Sequence, residues 1–182
     1  MPEFLLIRHC SPTLAGLKTG ALFSCPFASG TQMRACVRSW NARLRNKGLR
    51  VLPLRCHKER TLIYIYRSSA LLRDLGRIQT AQLLAELGYP CLSPERCIAH
   101  LMRRLTRGGP FPHEIGLFLG YPAEDVRGFI RDPAACKYVG CWKVYGDVHA
   151  ARALFARYKE CTRLYGARLA LGASLEQLTA AG

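Results

Sequence analysis

Acidic residues are missing from a long N-terminal stretch of this chain. None lies between Glu3 and Glu59, whereas ten arginine and lysine residues do. The 182 residues include 27 Lys and Arg against 12 Asp and Glu, so the formal net charge is +15. A basic block of this kind favours an anionic partner, either nucleic acid or an acidic protein. A solvated surface in an arginine-favouring proteome explains the same excess, so the charge alone leaves both interpretations open.

Long hydrophobic runs are also missing. No apolar stretch approaches the roughly 20 residues that cross a membrane. The N-terminal residues lack the basic start and the extended apolar core of a secretory signal. The hydrophobic content of 49% is ordinary for a globular protein. We therefore expect a cytoplasmic protein with one domain over residues 1–172 and a short C-terminal tail over residues 173–182.

Several motifs with a known chemistry are absent. The chain has no Gly-x-Ser-x-Gly elbow, no set of kinase motifs and no dinucleotide-binding glycine fingerprint. Lys18-Thr19-Gly20 lacks the residue order of a phosphate-binding P-loop. His113-Glu114 lacks the second histidine of a zinc protease helix, because Leu117 occupies its position. These absences leave open whether the protein is an enzyme, and no feature indicates a nucleotide cofactor.

The chain is rich in cysteine, but the nine cysteines form no Cys-x-x-Cys pair of the kind that usually marks a zinc or iron–sulfur site. The closest pairs are Cys136 with Cys141 and Cys91 with Cys97. In a chain without an export signal, reduced thiols or metal ligands are expected in place of disulfides.

Two sets of candidate residues follow from the histidines and thiols. The candidate functional residues are His9, Cys10, His113 and Glu114. The candidate metal ligands are Cys10, Cys25, Cys136 and Cys141, which lie near predicted turns and strand ends, with zinc or iron as the candidate ion. Cys36, Cys97 and Cys161 lie on apolar helix faces instead, which favours a place in the core. Residues of a hydrogen-bonded turn are the alternative interpretation of His113-Glu114.

Residues 31–47 have the pattern of an amphipathic helix. The apolar positions Met33, Cys36, Val37, Trp40 and Leu44 recur at intervals of three and four residues. Arg34, Arg38 and Arg45 line another face and are the candidate contacts to nucleic acid. Aromatic residues on predicted strands offer rings for base stacking, although core packing explains them about as well. They are Tyr64, Tyr66, Tyr138, Trp142 and Tyr145.

Helices and strands are mixed without the regular order of a parallel βαβ fold, which indicates the α+β class. The pattern predicts a short helix at 4–9 that ends at Ser11-Pro12, an irregular strand or hairpin at 13–27, a hairpin at 51–67, and strands at 117–119 and 138–145. Further helices are predicted at 69–75, 77–87, 93–107 and 122–131, and a long one from Asp147. The expected architecture is a mostly antiparallel sheet of about four or five strands packed with helices.

Three blocks of the sequence resemble a known family. They are Arg8-His-Cys-Ser-Pro-Thr-Leu-Ala-Gly-Leu-Lys18, His113-Glu-Ile-Gly-Leu-Phe-Leu-Gly-Tyr-Pro122 with Glu124-Asp-Val-Arg-Gly-Phe-Ile130, and Trp142-Lys-Val-Tyr-Gly-Asp147 leading to Phe155-Ala-Arg-Tyr-Lys-Glu-Cys161. In this order they are similar to the "domain of unknown function 3793" family of anaerobic Gram-positive bacteria. The resemblance extends over nearly the whole chain and is weakest over residues 31–107. It implies a stand-alone cytoplasmic protein of one domain, and it supplies no reaction, cofactor or catalytic residue.

Three functions from different classes follow as hypotheses. The leading one is a small accessory or binding protein with a thiol/histidine metal site. The second is a nucleic-acid-binding module that uses the basic segment 8–58. The third is an enzyme with a site near His113-Glu114.

Overall fold

A computed structural model of the chain describes residues 3–90, 93–107 and 109–181. The α+β class is confirmed, because helices are combined with two small antiparallel sheets. Backbone contacts divide the chain into two compact units, Met1–Ala70 with Glu160–Gly182 and Leu71–Lys159. None of the described helices combines the length and the apolar character that a membrane crossing requires.

The first unit contains a three-stranded antiparallel sheet. Its strands are β1 (Gly20–Pro26), β2 (Leu49–His57) and β3 (Arg60–Arg67), in the order β1-β3-β2. Two helices precede or interrupt the strands, α1 (Glu3–Leu14) and α2 (Gly30–Leu44), and a 3-10 turn (Arg45–Lys47) continues α2. The turn ends at Gly48, whose φ of 76° is the left-handed conformation that commonly ends a helix.

One face of this sheet shares a core with both helices. Ala21, Phe23 and Cys25 alternate along β1 and point into the core, as the two-residue period of a strand requires. The C-terminal tail adds Leu175 and Leu178, which are 0% and 1% exposed. A capping box begins the tail: the Ser174 N–H binds Gln177 Oε1 at 2.9 Å, and the Gln177 N–H binds Ser174 Oγ at 3.3 Å.

The second unit is mostly helical. The elements from residue 68 onward are α3 (Ser68–Leu75), α4 (Ile78–Glu86), α5 (Pro94–Thr106), α6 (Ile115–Phe118), α7 (Ala123–Arg131), β4 (Tyr138–Val139), β5 (Lys143–Val144) and α8 (Val148–Ala170). The start of α5 follows its sequence signals, because Ser93 accepts the N–H of Arg96 and Pro94 occupies the first turn.

Two strand predictions are wrong. Residues 117–119 were expected to form a strand, but Ile115–Phe118 is the single helical turn α6. All four residues of this turn are buried, so the run shows no periodicity that separates a strand from a helix. Residues 138–145 form the two-stranded β4–β5 hairpin in place of one strand.

Of the two N-terminal predictions, the end of the first helix is wrong, and the strand within residues 13–27 is confirmed. The first helix does not end at Ser11-Pro12 but continues through Pro12 to Leu14. Leu6, Cys10 and Leu14 are each 0% exposed and recur every four residues, so core packing outweighs the lost N–H of Pro12. Residues 13–27 contain the strand β1 and no hairpin among themselves.

Candidate ligand-binding pocket

A pocket of about 220 Å³ lies in the second unit, beside the segment 113–122. His113, Ile115, Gly116 and Tyr121 come from this segment, Asp125, Val126 and Phe129 from α7, and Trp142 and Lys143 from the β4–β5 hairpin. Segments separated by as much as 30 positions therefore meet at one concave site.

A reversal of the chain after α6 forms the first wall. The Tyr121 N–H binds the carbonyl of Gly116 at 2.9 Å, and Gly120 between them has a φ of 81°. This pattern is the usual way for glycine to end a helix. A Cβ atom on Gly116 would lie 2.8 Å from Val126 Cγ2 and 3.0 Å from Tyr121 Cδ2. The absence of a side chain at Gly116 thus lets α6, Tyr121 and α7 approach closely.

Aromatic rings form the second wall. Trp142 stacks on Tyr121 with 4.3 Å between ring centroids and 23° between planes, and Phe155 meets Trp142 edge-on at 4.4 Å. Such offset and edge-on pairs are the favoured arrangements of aromatic rings. Burial raises the pKa of Tyr121 to about 12, so its hydroxyl stays protonated at neutral pH. The wall is therefore flat, apolar and held in a fixed orientation.

Asp125 fixes the hairpin that carries Trp142. This carboxylate is 3% exposed. Its Oδ2 accepts the indole N–H of Trp142 at 2.7 Å, and its Oδ1 accepts the N–H groups of Tyr145 and Gly146 at 2.8 and 2.9 Å. Three donors compensate one buried charge, as buried charges require. Asp125 consequently acts as an anchor of the pocket wall.

Two basic side chains complete the lining. Lys143 Nζ donates to the carbonyl of Pro133 at 2.8 Å and lies 5.6 Å from the ring centroid of Phe129. His113 is exposed, and its ring meets Phe129 edge-on at 4.8 Å. An ammonium group has three N–H donors, and the Pro133 carbonyl accepts one of those of Lys143. Lys143 can therefore direct a further donor toward an anionic group in the pocket.

Glu114 makes contacts separate from those of His113. It is 2% exposed, accepts the Tyr89 hydroxyl at 2.7 Å and pairs with Arg104 Nη1 at 2.9 Å. The ring of His100 lies 4.4 Å from that of Tyr89. Burial, followed by the bond to Glu114, raises the pKa of Tyr89. The predicted pair thus divides between the pocket and a buried ionic cluster.

The predicted site residues of the first unit also lie in different environments, some buried and one exposed. Cys10 is 0% exposed, and burial raises the pKa of its thiol. Cys25 is equally buried; its thiol donates to the carbonyl of Pro26 at 3.4 Å, and burial raises its pKa. His9 is exposed and stacks on Phe23 with 5.6 Å between ring centroids. Both thiols belong to the core cluster of this unit.

The remaining candidate ligands lie in the second unit. Cys136 is half-buried and Cys141 is exposed. Across residues 3–90, 93–107 and 109–181, no three His, Cys, Asp or Glu side chains are grouped so that they could hold a metal ion. Cys91 lies outside the described residues. The zinc or iron site stays a prediction, and metal analysis of protein purified without oxygen or a metal-binding tag would test it.

The candidate nucleic-acid contacts Arg34, Arg38 and Arg45 are all exposed. The rings expected to stack on bases are less accessible, because Tyr64, Tyr66 and Trp142 are 0%, 8% and 9% exposed. Tyr64 and Tyr66 stack on each other with 4.9 Å between centroids. These three aromatic side chains are explained by packing.

Sequence reasoning identified His113 but missed Tyr121, Asp125, Trp142 and Lys143 as members of one site. A usable signal was present. Two of the three blocks that carry the family resemblance, 113–122 with 124–130 and 142–147 with 155–161, contain all three segments that line the pocket.

Comparison with known proteins gives a family and no activity. No curated protein and no solved structure matches the chain. A family model described as "Protein of unknown function (DUF3793)" matches residues 6–179. Because the match extends over nearly the whole chain, the resemblance is confirmed, and the protein belongs to the DUF3793 family.

Proposed function

We propose that this protein binds a small aromatic molecule with an anionic group in the pocket of the second unit. The observation that carries the proposal is the arrangement of its walls. Trp142 stacks on Tyr121 and is held by Asp125, and Lys143 lines the same pocket with N–H donors for a ligand. Apolar walls with a few placed polar groups are typical of sites for small molecules.

The volume limits the ligand to one ring with a short substituent. An apolar cavity of about 150 Å³ accommodates benzene, and the pocket has about 220 Å³. A flat ring is favoured over an aliphatic one, because stacking on an aromatic side chain contributes about 0.5–1.5 kcal/mol beyond the buried area.

The charges favour an anion. Lys143 would repel a cationic ligand and form a charge-assisted hydrogen bond to a carboxylate. Asp125 is the acidic residue of the lining, and its charge is compensated by three N–H donors. An aromatic carboxylate therefore fits better than an aromatic amine, even though aromatic walls alone also suit cations.

Tryptophan fluorescence tests this proposal. Trp40 lies in the core of the first unit and is 2% exposed, so Trp40→Phe leaves Trp142 as the reporter of the pocket. Benzoate should change the emission saturably, benzyl alcohol should bind about tenfold more weakly, and benzylamine should not bind. Failure of all three probes to give a saturable change, or equal binding of benzylamine and benzoate, would contradict the proposal.

A pair of lysine variants tests the charge. Lys143→Met should weaken benzoate about tenfold and leave benzyl alcohol unchanged, since one charge-assisted bond is lost. Lys137→Met is the matched control, because Lys137 is an exposed lysine of the same region that does not line the pocket. Equal losses in the two variants would show that Lys143 does not contact the ligand.

The cytoplasm is the proposed setting for this binding protein. No disulfide joins any two of the eight described cysteines, and reduced thiols are usual where the environment is reducing. Fractionation of cells with an antibody against the protein would test the location.

A further inference from the structure

A second surface, in the first unit, is independent of the pocket. We infer that α2 and the turn after it form a contact surface for the phosphate backbone of nucleic acid. Its residues are Arg34, Arg38 and Arg45, called the arginine stripe below.

The helix geometry aligns these three side chains. α2 buries Met33, Val37, Trp40 and Leu44 on one face. Arg34, Arg38 and Arg45 are four and seven positions apart, so they fall within about 40° of one another around the helix and span about 16 Å along it. All three are exposed. The Arg34 guanidinium donates to Thr31 Oγ1 at 3.3 Å, a contact that turns one of its donors along the helix.

The contacts of Asn41 show that strand β2 lies beside this row of arginines. Asn41 occupies the same side of α2, and its Nδ2 donates to the Val51 carbonyl at 2.8 Å, while the Val51 N–H donates to its Oδ1 at 2.9 Å. β2 follows α2 after the Gly48 turn and is an edge strand of the sheet. The three exposed arginines therefore line the side of α2 that lies next to this edge strand.

Acidic side chains are few in this unit, and two of the four pair with other arginines. The unit has fourteen basic and four acidic residues. Of these acids, Glu160 accepts two bonds from Arg163 at 2.8 and 2.6 Å, and Glu176 pairs with Arg43. Glu59 lies in the β2–β3 turn next to Lys58. The positive charge of the stripe is thus available to an external anion.

Repeated phosphates match this surface better than protein carboxylates do. Guanidinium groups bind phosphate through paired N–H donors. A nucleic acid strand presents a row of closely spaced charges, and the stripe presents three positive charges over about 16 Å. The stripe contains no aromatic side chain that would stack on a base, so the expected contact is to the backbone and does not depend on base sequence.

Fluorescence anisotropy with a labelled 20-base-pair duplex of mixed sequence and a labelled 20-nucleotide RNA tests the inference. The first variant combines Arg34→Gln, Arg38→Gln and Arg45→Gln. The matched control combines Arg73→Gln, Arg96→Gln and Arg157→Gln, which removes the same charge from exposed positions of the second unit. Circular dichroism of each variant establishes that it is folded, and Arg38→Gln alone serves as a milder substitution.

The stripe variant should bind at least tenfold more weakly to one or both nucleic acids. The slope of log K against log salt should fall by about 2–3, because each phosphate contact contributes about 0.9 on duplex DNA and about 0.7 on a single strand. The affinity of the control should remain within twofold of that of the unsubstituted protein. Arg38→Gln alone should lower the slope by the value of about one phosphate contact.

Three results would overturn the inference. They are no binding by the unsubstituted protein at 50 mM salt, equal losses in the stripe variant and the control, and displacement of the nucleic acid by polyglutamate at equal charge concentration, which would identify an acidic protein as the partner. Benzoate binding is measured on the same stripe variant, so a failure here is distinguishable from a failure of the pocket.

Discussion

Individual buried carboxylates in this protein join distant parts of the chain. The position of Asp125 in the first turn of α7 suggests a partner of the helix dipole, yet its carboxylate binds groups 17 to 21 residues further along. Glu114 likewise binds Tyr89 and Arg104. Neither partnership is visible in the sequence, because local spacing says nothing about which segments meet after folding.

One surface ion pair should make the stability of the fold depend on pH. The Arg43 guanidinium hydrogen-bonds Glu176 and holds the pKa of that carboxyl at about 2, below its ordinary 4.5. The charged form is favoured in the folded state, so the contribution is complete above about pH 4.5 and is lost as the pH falls toward 2. Because the Glu176 side chain is 41% exposed, solvent screening limits the contribution to about 1 kcal/mol.

Glu176→Gln should therefore lower the free energy of unfolding by about 1 kcal/mol at pH 7. As the pH falls, the free energies of unfolding of the variant and of the unsubstituted protein should converge near pH 2. Urea denaturation between pH 7 and pH 2 measures this. Glu59→Gln, at an exposed acid of the same unit, should change the free energy by less than about 0.5 kcal/mol. Identical stability of Glu176→Gln and unsubstituted protein at pH 7 would disprove the role of the pair.

Elements with local signals could be predicted, and elements shaped by burial could not. The helix α2, the β2–β3 hairpin and α5 were predicted because periodicity, a polar turn and a Ser-Pro cap mark them. α6 was mistaken for a strand because every residue in it is buried. The pocket escaped prediction for a related reason, since it needs the β4–β5 hairpin to return to α7, a tertiary contact that Asp125 maintains.

Gly128 of α7 should be required for this contact between elements. Replacing glycine by alanine inside a helix ordinarily stabilises it by about 1 kcal/mol. Here the added Cβ would lie 2.6 Å from Cδ1 of the Tyr145 ring, and a clash with a ring body forces the hairpin to shift. Gly128→Ala should therefore destabilise the protein by about 1–3 kcal/mol and weaken benzoate binding to Trp142.

Gly166→Ala provides the control for this substitution. Gly166 is an exposed residue of α8, and a Cβ there would meet nothing within 4 Å. Helix propensity should then act alone and raise the free energy of unfolding by up to about 1 kcal/mol. If thermal or urea unfolding shows the two alanine variants to be equally stabilised, the packing of α7 against Tyr145 is not as the structure has it.

Across the whole molecule, the two candidate sites belong to different parts of the fold. The pocket is lined by residues 113–143 of the second unit, whereas the arginine stripe lies within residues 34–45 of the first. The net positive charge is also higher in the first unit, which has fourteen basic and four acidic residues, than in the second, which has thirteen and eight. Loss of one activity without the other is therefore a meaningful outcome for any single variant.

Thiol labelling tests the fold as a whole, since the cysteines sample both units. Cys56 and Cys141 are exposed and Cys36 and Cys136 are half-buried, whereas Cys10, Cys25, Cys97 and Cys161 are buried. Burial also raises the pKa of Cys10, Cys25 and Cys161, which lowers the fraction of reactive thiolate. Brief treatment with N-ethylmaleimide should modify Cys56 and Cys141 first and the buried four only after unfolding, as mass spectrometry of the peptides would show.

Two departures from this order would each have a definite meaning. Rapid modification of Cys10 would contradict the closed core of the first unit, because that side chain is 0% exposed. Protection of Cys141 that a chelator removes would identify it as a metal ligand, because an exposed thiolate is shielded from alkylation when it is coordinated. If Cys141 is labelled early both with and without the chelator, it is not a ligand of the predicted metal site, and packing is the remaining explanation of the buried thiols.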